Sequence, residues 1–572
     1  MSRQYSLVTS LARIAQVACV AACFILVGSV SNATPYASGV TISGTTVSFI
    51  LNQPTQSLTY RINGGAPVAL DGSSKGTLTF NLNSPTDHFS IAAQNTDTTG
   101  FLIPTGAITP PNGGGLSQAT SASGTKVISD DGSPLNRFNS PRGVSVNMNP
   151  NSPYFGTTYI SNSVAGTLPS GGEIGPGNTP VTASRTLNGF GLYALNADGT
   201  DTFHNGDTAV NPQNNDGFPA FVTPPMSANS PYRIRVGEDG RIWAADYSDT
   251  NGNLFLIQPN LTGGATTSVN VLAQFGGQPP LLDGNNQPTT SDGTGLPPGQ
   301  NHGSISSSFA TGSLAAGNLT VYTLDEDLDS AHFGGSGPNA KADRNSIWRY
   351  DIGGSIPDAG YSGTPTQYAP GAPTPPAPAA SNGLIGDFPQ GGITADMTRG
   401  PDGKFYVSQN RTTGGQPGIL VFDSTGTTLL FNSLQASKTL LGDPNATDIF
   451  AAVAGIDVSP DGKWLAVIEV DNDVALLPLI NGVPDLANRL LMDGGINTAN
   501  GRDISFDAAG NLHIVSSGQG MYREYAPGGE TLAITSWNGT SFSFVVTVPE
   551  PATFGLLLVG FAGLGSVRSR RV

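Results

Sequence analysis

The chain has 572 residues and a formal net charge of −16, with 75 glycines, 43 prolines and only 12% charged residues. A net negative charge repels nucleic acid and anionic lipid, so we expect no nucleic-acid partner. Low charge, many glycines and no sustained helical periodicity are typical of an all-β protein with long loops. A chain of this length can bury a sizeable core.

The first 33 residues have the pattern of a secretory signal peptide. Arg3 and Arg13 precede an apolar stretch at residues 14–30. Ser31 and Ala33 supply the small side chains that signal peptidase requires at the −3 and −1 positions of its cleavage site. We therefore predict that residues 1–33 are removed and that the mature chain begins after Ala33.

Both cysteines of the chain lie inside this predicted signal peptide. An alternative cut in the lipobox-like sequence 20–23 would place a lipid on Cys23, but the apolar stretch continues through residues 24–27 and favours the later cut. After that cut neither Cys19 nor Cys23 remains. We expect no disulfide, thiolate metal site or cysteine nucleophile in the mature protein.

Residues 34–103 contain four short segments with the alternating hydrophobicity of β-strands, punctuated by Asn-Gly and Asp-Gly turns. The segments are 40–51, 58–70, 76–82 and 88–93. They predict a small immunoglobulin-like β-sandwich. A linker rich in proline and glycine follows at residues 104–123.

A weak repeat occupies residues 124–547, in which a glycine, often after aspartate, precedes a short apolar strand. The repeat glycines are Gly156, Gly240, Gly317, Gly403, Gly462 and Gly510. In five repeats a further strand, which we call the first strand of the repeat, lies upstream, at 143–146, 233–236, 394–397, 455–458 and 503–506. A tight hairpin needs a positive φ angle, which glycine adopts readily. Each repeat leaves an apolar face that only its neighbour can cover, so we expect the repeats to close into a ring.

Segments 401–407 and 459–465 resemble the YVTN and NHL families of β-propeller repeats. The resemblance implies an all-β fold: a six- to eight-bladed β-propeller preceded by the small immunoglobulin-like β-sandwich. The number of blades stays open because the repeat spacing is uneven, with Gly- and Pro-rich stretches at 276–303 and 357–382. We expect the β-branched run 540–548 to close the ring as an edge strand.

Residues 548–572 have three parts in a fixed order. A Pro-Glu-Pro box, an apolar run and a basic end lie at Pro549, Glu550, Pro551, 554–567, Arg568, Arg570 and Arg571. As a helix the apolar run would span about 21 Å, less than a hydrocarbon core of ~30 Å. Such a marginal anchor, with arginines held on the cytoplasmic side, suits a segment that is held briefly and then removed. An ordinary C-terminal membrane anchor is the alternative.

This order of parts resembles the PEP-CTERM sorting signal. The resemblance implies an exosortase substrate: exosortase, a membrane transpeptidase-like enzyme of Gram-negative bacteria, would cut at the box during export, and residues 554–567 would contact the membrane only transiently. The expected partners are exosortase and the secretion machinery, with extracellular polysaccharide or a surface protein as a further partner. The expected location is the outer surface or the extracellular matrix.

One acidic cluster suggests a hard cation. Asp325, Asp327 and Asp329 place carboxylates at alternate positions and are candidate ligands of Ca²⁺, the only cofactor that the sequence suggests. Ser336 stands where an EF-hand-like loop would carry glutamate, so we favour a solvated acidic loop and expect no cofactor, with Ca²⁺ as the alternative.

Charged residues also recur on the predicted first strands, which line the central channel of a propeller. They are Arg142, Arg233, Arg235, Arg502, Asp396, Asp457 and Asp503. Two interpretations are open: the arginines bind an anionic ligand, or they form ion pairs with the aspartates.

Two classes of function are compatible with these features. The first is an exported binding or structural module of the cell surface or exopolysaccharide matrix, and we favour it because it explains both sorting signals. The second is a secreted propeller enzyme, a Ca²⁺-dependent lactonase-like hydrolase or a quinoprotein-type oxidoreductase. It would need acidic, amide or histidine side chains from several blades to converge.

The five histidines show no paired metal-ligand spacing, and we interpret His513, inside a predicted strand, as a packed residue.

Overall fold

The computed structural model describes residues 34–95, 129, 133–138, 140–163, 166–167, 174–175, 179–180, 187–188, 191–202, 231–245, 254–261, 269–270, 305–325, 347–354, 366–368, 394–410, 417–426, 428–450, 452–470, 474–492, 501–518, 520–525 and 531–547. Within these ranges the protein is all-β, as predicted, with one α-helix. The predicted signal peptide, linker and sorting segment lie outside them, as do Asp327 and Asp329.

Six strands precede residue 96 and fall within the four predicted segments or beside them. They are β1 (Ala37–Ser43), β2 (Thr46–Leu51), β3 (Ser57–Ile62), β4 (Val68–Leu70), β5 (Gly76–Asn81) and β6 (Phe89–Asn95). β1, β2 and β5 form one antiparallel sheet. Along β6 buried residues alternate with half-buried ones, as expected for a strand with one face on a core.

The middle of the chain supplies a long series of short strands. The first are β7 (Pro141–Val146), β8 (Thr158–Asn162), β9 (Gly166–Thr167), β10 (Ile174–Gly175), β11 (Thr179–Pro180), β12 (Leu187–Asn188), β13 (Gly191–Leu195), β14 (Ile234–Val236), β15 (Ile242–Ala245), β16 (Leu254–Ile257), β17 (Val269–Asn270), β18 (Ile305–Thr311), β19 (Leu319–Asp325), β20 (Ile347–Gly353) and β21 (Thr366–Tyr368).

The series continues with β22 (Thr394–Arg399), β23 (Phe405–Gln409), β24 (Ile419–Phe422), β25 (Leu429–Asn432), the helix α1 (Ser433–Leu441), β26 (Val453–Val458), β27 (Trp464–Glu469), β28 (Val474–Ile480), β29 (Val483–Pro484), β30 (Leu490–Met492), β31 (Gly501–Phe506), β32 (Leu512–Ser516) and β33 (Met521–Tyr525). Asn432 caps the start of α1 by accepting the Gln435 N–H, and Gly442, with φ of +65°, ends it.

Two short pairs, β9 with β12 and β10 with β11, form two-stranded sheets. The other strands form six consecutive antiparallel sheets, which we call the six-sheet array. Their members are β7, β8 and β13; β14 to β17; β18 to β21; β22 to β25; β26 to β30; and β31 to β33. All six repeat glycines lie before the second strand of a sheet with φ between +69° and +84°, as the turn argument predicted. The first strand of the third sheet, β18, was not predicted, because its buried Ser306, Ser307 and Ser308 give it no apolar run.

Neighbouring sheets of the array share their cores. The first strands β7, β14, β18, β22, β26 and β31 contact one another in chain order, and β31 contacts β7. Ile160 of the first sheet and Val515 of the last sheet belong to one buried cluster. Trp243 of the second sheet and Val321 of the third belong to another. Each sheet therefore covers an apolar face of its neighbour, which explains why the sheets form together.

The last two strands return to the beginning of the chain. They are β34 (Thr531–Trp537) and β35 (Phe542–Thr547). β34 pairs antiparallel with β6 along its whole length, giving a five-stranded sheet in the order β35, β34, β6, β3, β4. The prediction that residues 540–548 close the ring is therefore wrong, and the predicted propeller limits of 124–547 include two strands that pair elsewhere. A β-branched run identifies an edge strand, but it does not identify the sheet that the strand joins.

The five-stranded sheet packs on the sheet of β1, β2 and β5, and we call the pair the sandwich. One buried cluster unites Phe49 and Phe80 of the smaller sheet with Ile91 of the larger, and Trp537 packs against it. The C-terminal hairpin is therefore part of the sandwich core.

The sandwich contacts the array at its first and last sheets. The Gly39 N–H donates to the Phe155 carbonyl at 2.9 Å, and the Thr34 N–H donates to Asn511 Oδ1 at 3.1 Å. Between these two points the rings of Tyr36, Phe155 and Phe544 pack with centroids 5.0–5.7 Å apart. This interface therefore covers the place where the two ends of the array meet.

Candidate functional site

Four of the seven charged residues predicted on the first strands meet in the middle of the array, in what we call the central cluster. Arg233 precedes β14 and Arg235 lies within it, whereas Asp396 and Asp503 come from β22 and β31. Arg233 Nη1 and Arg235 Nη1 each lie 2.8 Å from an oxygen of Asp503, and Arg235 also pairs with Asp396. The ion-pair interpretation is therefore correct for these two arginines.

The guanidinium of Arg233 also connects four other first strands. It donates hydrogen bonds of 2.6 Å to the backbone carbonyls of Arg502 and Ala454. Longer bonds, of 3.3 and 3.2 Å, reach the carbonyls of Arg142 and Ala395. One buried cation thus satisfies carbonyls of β7, β22, β26 and β31, which a neutral side chain of similar size could not do.

Asp396 and Asp503 of the central cluster and Asp457, which lies beside it on β26, repeat one bonding pattern. In each, one carboxylate oxygen accepts the N–H of the next residue and the other accepts an N–H from the neighbouring first strand. The cross-strand pairs are Asp396 with Ile456 (2.9 Å), Asp457 with Phe506 (2.8 Å) and Asp503 with Val144 (2.8 Å). The first strands lie at the inner edges of their sheets, where some backbone N–H groups have no partner strand. The aspartate side chains satisfy these N–H groups. Burial raises the pKa of Asp457 to about 6.

The other two predicted arginines have different contacts. Arg142 Nε donates to Ser163 Oγ at 3.2 Å, and Arg502 Nε donates to Ser517 Oγ at 2.8 Å. Both lie on first strands, as predicted. Arg142 also lies over the ring of Tyr232, with its Cζ 5.9 Å from the ring centroid.

A second buried charged group lies beside the sandwich, and we call it the interface cluster. It consists of Asp507, His513 and Glu524, which are 0%, 2% and 5% exposed. One carboxylate or imidazole atom from each lies within 4.8 Å of the other two. Asn511 connects the cluster to the sandwich, since its Nδ2 donates to Asp507 Oδ2 at 2.8 Å and its Oδ1 accepts the Thr34 N–H.

The hairpin register of the last sheet builds this cluster. His513 on β32 and Glu524 on β33 are directly opposite each other in the antiparallel pair, and side chains in such pairs lie on the same face as neighbours. Asp507 follows β31 and begins the turn to β32. Its Oδ1 accepts the N–H groups of Ala509 and Asn511 at 2.9 and 2.8 Å, which fixes the carboxylate.

The imidazole of His513 is held between a phenol and a carboxylate. Nδ1 lies 2.7 Å from the Tyr522 hydroxyl and 3.5 Å from Thr158 Oγ1. Nε2 lies 3.7 Å from Asp507 Oδ2. A proton on Nδ1, donated to the Tyr522 oxygen, leaves the lone pair of Nε2 directed toward the carboxylates.

The ionisation of the interface cluster reflects a shortage of positive charge. Burial raises the pKa of Glu524 to about 7, although His513 opposes the rise. Burial lowers the pKa of His513, but Asp507 and Glu524 raise it by more, so that it ends above its ordinary value. Burial, together with the nearby Asp507 and Glu524, raises the pKa of the Tyr36 hydroxyl. Two carboxylates therefore face a single imidazole.

Several predicted site residues stay predictions. Asp325 is the last residue of β19, opposite Ile305, and the other two candidate Ca²⁺ ligands lie outside the described residues. The predicted signal-peptidase residues and the sorting residues lie outside them too. His513 is buried in a strand as predicted, but its acidic neighbours were missed. The hairpin register was the signal that could have identified Glu524.

The known family model for the PEP-CTERM protein-sorting motif matches residues 547–571. This match confirms the predicted sorting motif, which indicates an exported, surface-sorted protein and implies processing by exosortase. No helix within the described residues is long and apolar enough to cross a membrane. The predicted transient membrane segment, 554–567, lies outside those residues. A search of curated proteins finds no match.

Two solved structures show a low overall similarity. A gluconolactonase from Xanthomonas campestris is 12% identical, with 69% of this chain and 88% of that chain covered and a TM-score of 0.34. The hydrazine synthase of Kuenenia stuttgartiensis is 11% identical, with coverages of 68% and 96% and a TM-score of 0.32. Similarity at this level carries no argument about the activity of this chain.

Proposed function

We propose that the mature protein is a binding or structural module displayed on the outer surface or in the extracellular matrix of a Gram-negative bacterium. The observation that carries the proposal is the position of the sorting motif. The match begins at residue 547, the last residue of β35 and of the sandwich. The segment that exosortase processes therefore leaves from the sandwich, and the sandwich carries the six-sheet array.

The array is best described as a six-bladed β-propeller, and the sandwich as immunoglobulin-like. Sheets of up to five antiparallel strands, first strands that contact one another from β7 through β31 and back to β7, and cores shared between neighbours all support a propeller. Six sheets lie at the lower end of the six- to eight-blade prediction.

The central cluster supports a binding or structural role over the enzymatic alternative. A lactonase-like hydrolase or quinoprotein-type enzyme would need polar side chains of several blades to be available to a ligand. Asp396 and Asp503 are instead fully buried against Arg233 and Arg235. We propose extracellular polysaccharide or a surface protein as the ligand, bound outside the central cluster.

Intact mass and localisation in the native host test the sorting step. We expect surface material to contain a chain that begins near Thr34 and ends near the Pro-Glu-Pro box. Glu550→Ala, or loss of exosortase, should leave residues 554–572 attached and keep the protein in the membrane fraction. Surface-located protein that retains 554–572 would contradict the proposal.

Co-sedimentation with exopolysaccharide tests the role. The mature chain should sediment with polysaccharide purified from its host and should not turn over lactones. The same chain after heat unfolding is the control for non-specific adhesion. Ca²⁺-dependent lactone hydrolysis without retention on polysaccharide or on cells would favour the enzyme instead.

A further inference from the structure

We infer that the interface cluster is a structural binding site for one divalent first-row transition-metal ion, with Zn²⁺ the expected occupant. The ligands are Asp507, His513 through Nε2, and Glu524. This inference is independent of the proposed surface role. Zinc is bound by imidazole nitrogen and carboxylate oxygen at about 2.0–2.2 Å. Atoms that already lie within 4.8 Å of one another reach these distances by moving less than ~1 Å each.

The first argument is the unsatisfied nitrogen of His513. Its side chain is 3% exposed, and within the described residues Nε2 has no hydrogen-bond partner, since Asp507 Oδ2 is 3.7 Å away. A buried polar atom without a partner is unfavourable, and in native proteins it usually indicates an unobserved water, ion or functional group. Here that atom faces two carboxylates, which is the environment of a cation.

The second argument is the support behind the ligands. Metal-binding histidines commonly donate their other ring N–H to an oxygen that fixes the ring orientation. His513 Nδ1 has such a partner in the Tyr522 hydroxyl, at 2.7 Å. On the other side of the site, Ala509 and Asn511 hold the Asp507 carboxylate through its Oδ1. Both ligands are therefore positioned before any ion binds.

The third argument is charge. A dication with two carboxylates and a neutral imidazole forms a neutral group, which suits a site that is at most 5% exposed. The nitrogen ligand and the small number of oxygens disfavour Ca²⁺ and Mg²⁺, which prefer six or more oxygen ligands. Because the site is closed to solvent, the ion would be structural: it would hold the last sheet beside Thr34 and Tyr36 of the sandwich.

The test measures metal content and unfolding of the full mature chain. After desalting, elemental mass spectrometry should find about one equivalent of Zn²⁺ per chain. Treatment with a chelator should lower the unfolding midpoint. Added Zn²⁺ should restore the midpoint, and added Ca²⁺ should not. His513→Gln and Glu524→Gln should lose both the bound metal and the response to chelator.

Asp448→Asn is the matched control. Asp448 is also buried, and it accepts hydrogen bonds from Ser433, Ser437 and the Gly418 N–H. This variant should keep the metal and the response. Tyr522→Phe removes the hydroxyl that supports His513 and keeps all three ligands. It should weaken Zn²⁺ binding by about 10–100-fold, which keeps the test valid if the ligand variants fail to fold.

Two results would overturn the inference. One is a chain that binds no Zn²⁺ on titration and has the same unfolding midpoint with and without chelator. Protons rather than a metal ion would then bridge the side chains of the interface cluster. The other is a Zn²⁺ response that Glu524→Gln and Tyr522→Phe both retain, since the ion would then be bound elsewhere.

Discussion

The central cluster and the interface cluster both bury charged side chains from several strands, but they differ in how the charges are balanced. In the central cluster two arginines face Asp396 and Asp503, and the terminal nitrogens of Arg233 also donate to backbone carbonyls. In the interface cluster Asp507 and Glu524 share one histidine. Burial of charge alone therefore does not identify a ligand site, because a cluster whose arginines match its carboxylates needs no further cation. The shortage of positive charge is the distinguishing feature.

The largest effect should come from breaking the balance of the central cluster. Arg233→Met leaves Asp503 with less compensation and leaves the carbonyls of four first strands without a donor. We expect a loss of about 3–5 kcal/mol in the free energy of unfolding, the range for breaking a buried ion pair. Denaturant unfolding measures it.

Arg349→Ala is the control for that experiment. Its ion pair with Asp351 involves side chains that are 37% and 57% exposed, and exposed pairs contribute less than about 1 kcal/mol. Equal losses for the two variants would show that the central cluster does not depend on its buried charges.

A smaller effect should come from crowding the wall of the interface cluster. A Cβ on Gly156, whose φ is +83°, would lie 2.7 Å from the Ser38 Cβ and 2.9 Å from the Tyr36 hydroxyl. Gly317 has φ of +70° and no atom within 4 Å of such a Cβ. Both alanine variants should lose about 1–2 kcal/mol to the positive φ, but Gly156→Ala should lose about 1–3 kcal/mol more through overpacking. Thermal unfolding of the pair measures the difference, and equal midpoints would contradict the tight packing around Tyr36.

The smallest effect concerns the pH dependence of Asp457, beside the central cluster. Burial raises the pKa of Asp457 to about 6, against about 3.9 in an unfolded chain. The folded state thus binds the proton more tightly, and the contribution of Asp457 to stability is complete below about pH 4 and is lost as pH rises to about 6. As pH rises across this interval, the free energy of unfolding of Asp457→Asn should therefore increase relative to that of the wild type, by at most about 3 kcal/mol.

Asp71→Asn is the control for the pH experiment. Hydrogen bonds from Ser73 lower the pKa of Asp71, so its titration lies below the interval and its difference from the wild type should stay flat. A flat difference for Asp457→Asn as well would show that Asp457 is not desolvated.

Local signals made much of the array predictable from sequence. Positive φ at a repeat glycine such as Gly403 depends only on its own turn, and upstream strands such as 455–458 are visible as apolar runs. β18 was missed because its buried serines look like loop residues. Their burial depends on neighbouring sheets, which no local pattern describes.

Contacts between distant segments were the part that could not be predicted. The pairing of β34 with β6 depends on where the array places the chain after β33. The interface cluster depends on the register that sets His513 opposite Glu524 and on the turn that brings Asp507 back. Sequence motifs for metal sites describe spacing along one element, whereas these ligands come from a turn and two strands.

The return of the C-terminal hairpin to the sandwich has a consequence for the order of folding during export. The Thr535 hydroxyl bonds to the Ala37 carbonyl across 498 residues of chain, and the Thr34 N–H bonds to Asn511 across 477. Contacts of such long range form late. Until residues 531–547 have crossed the membrane, β6 stays an unpaired edge that is prone to aggregation. The sorting motif follows that hairpin directly, so the segment that completes the fold lies immediately before the motif.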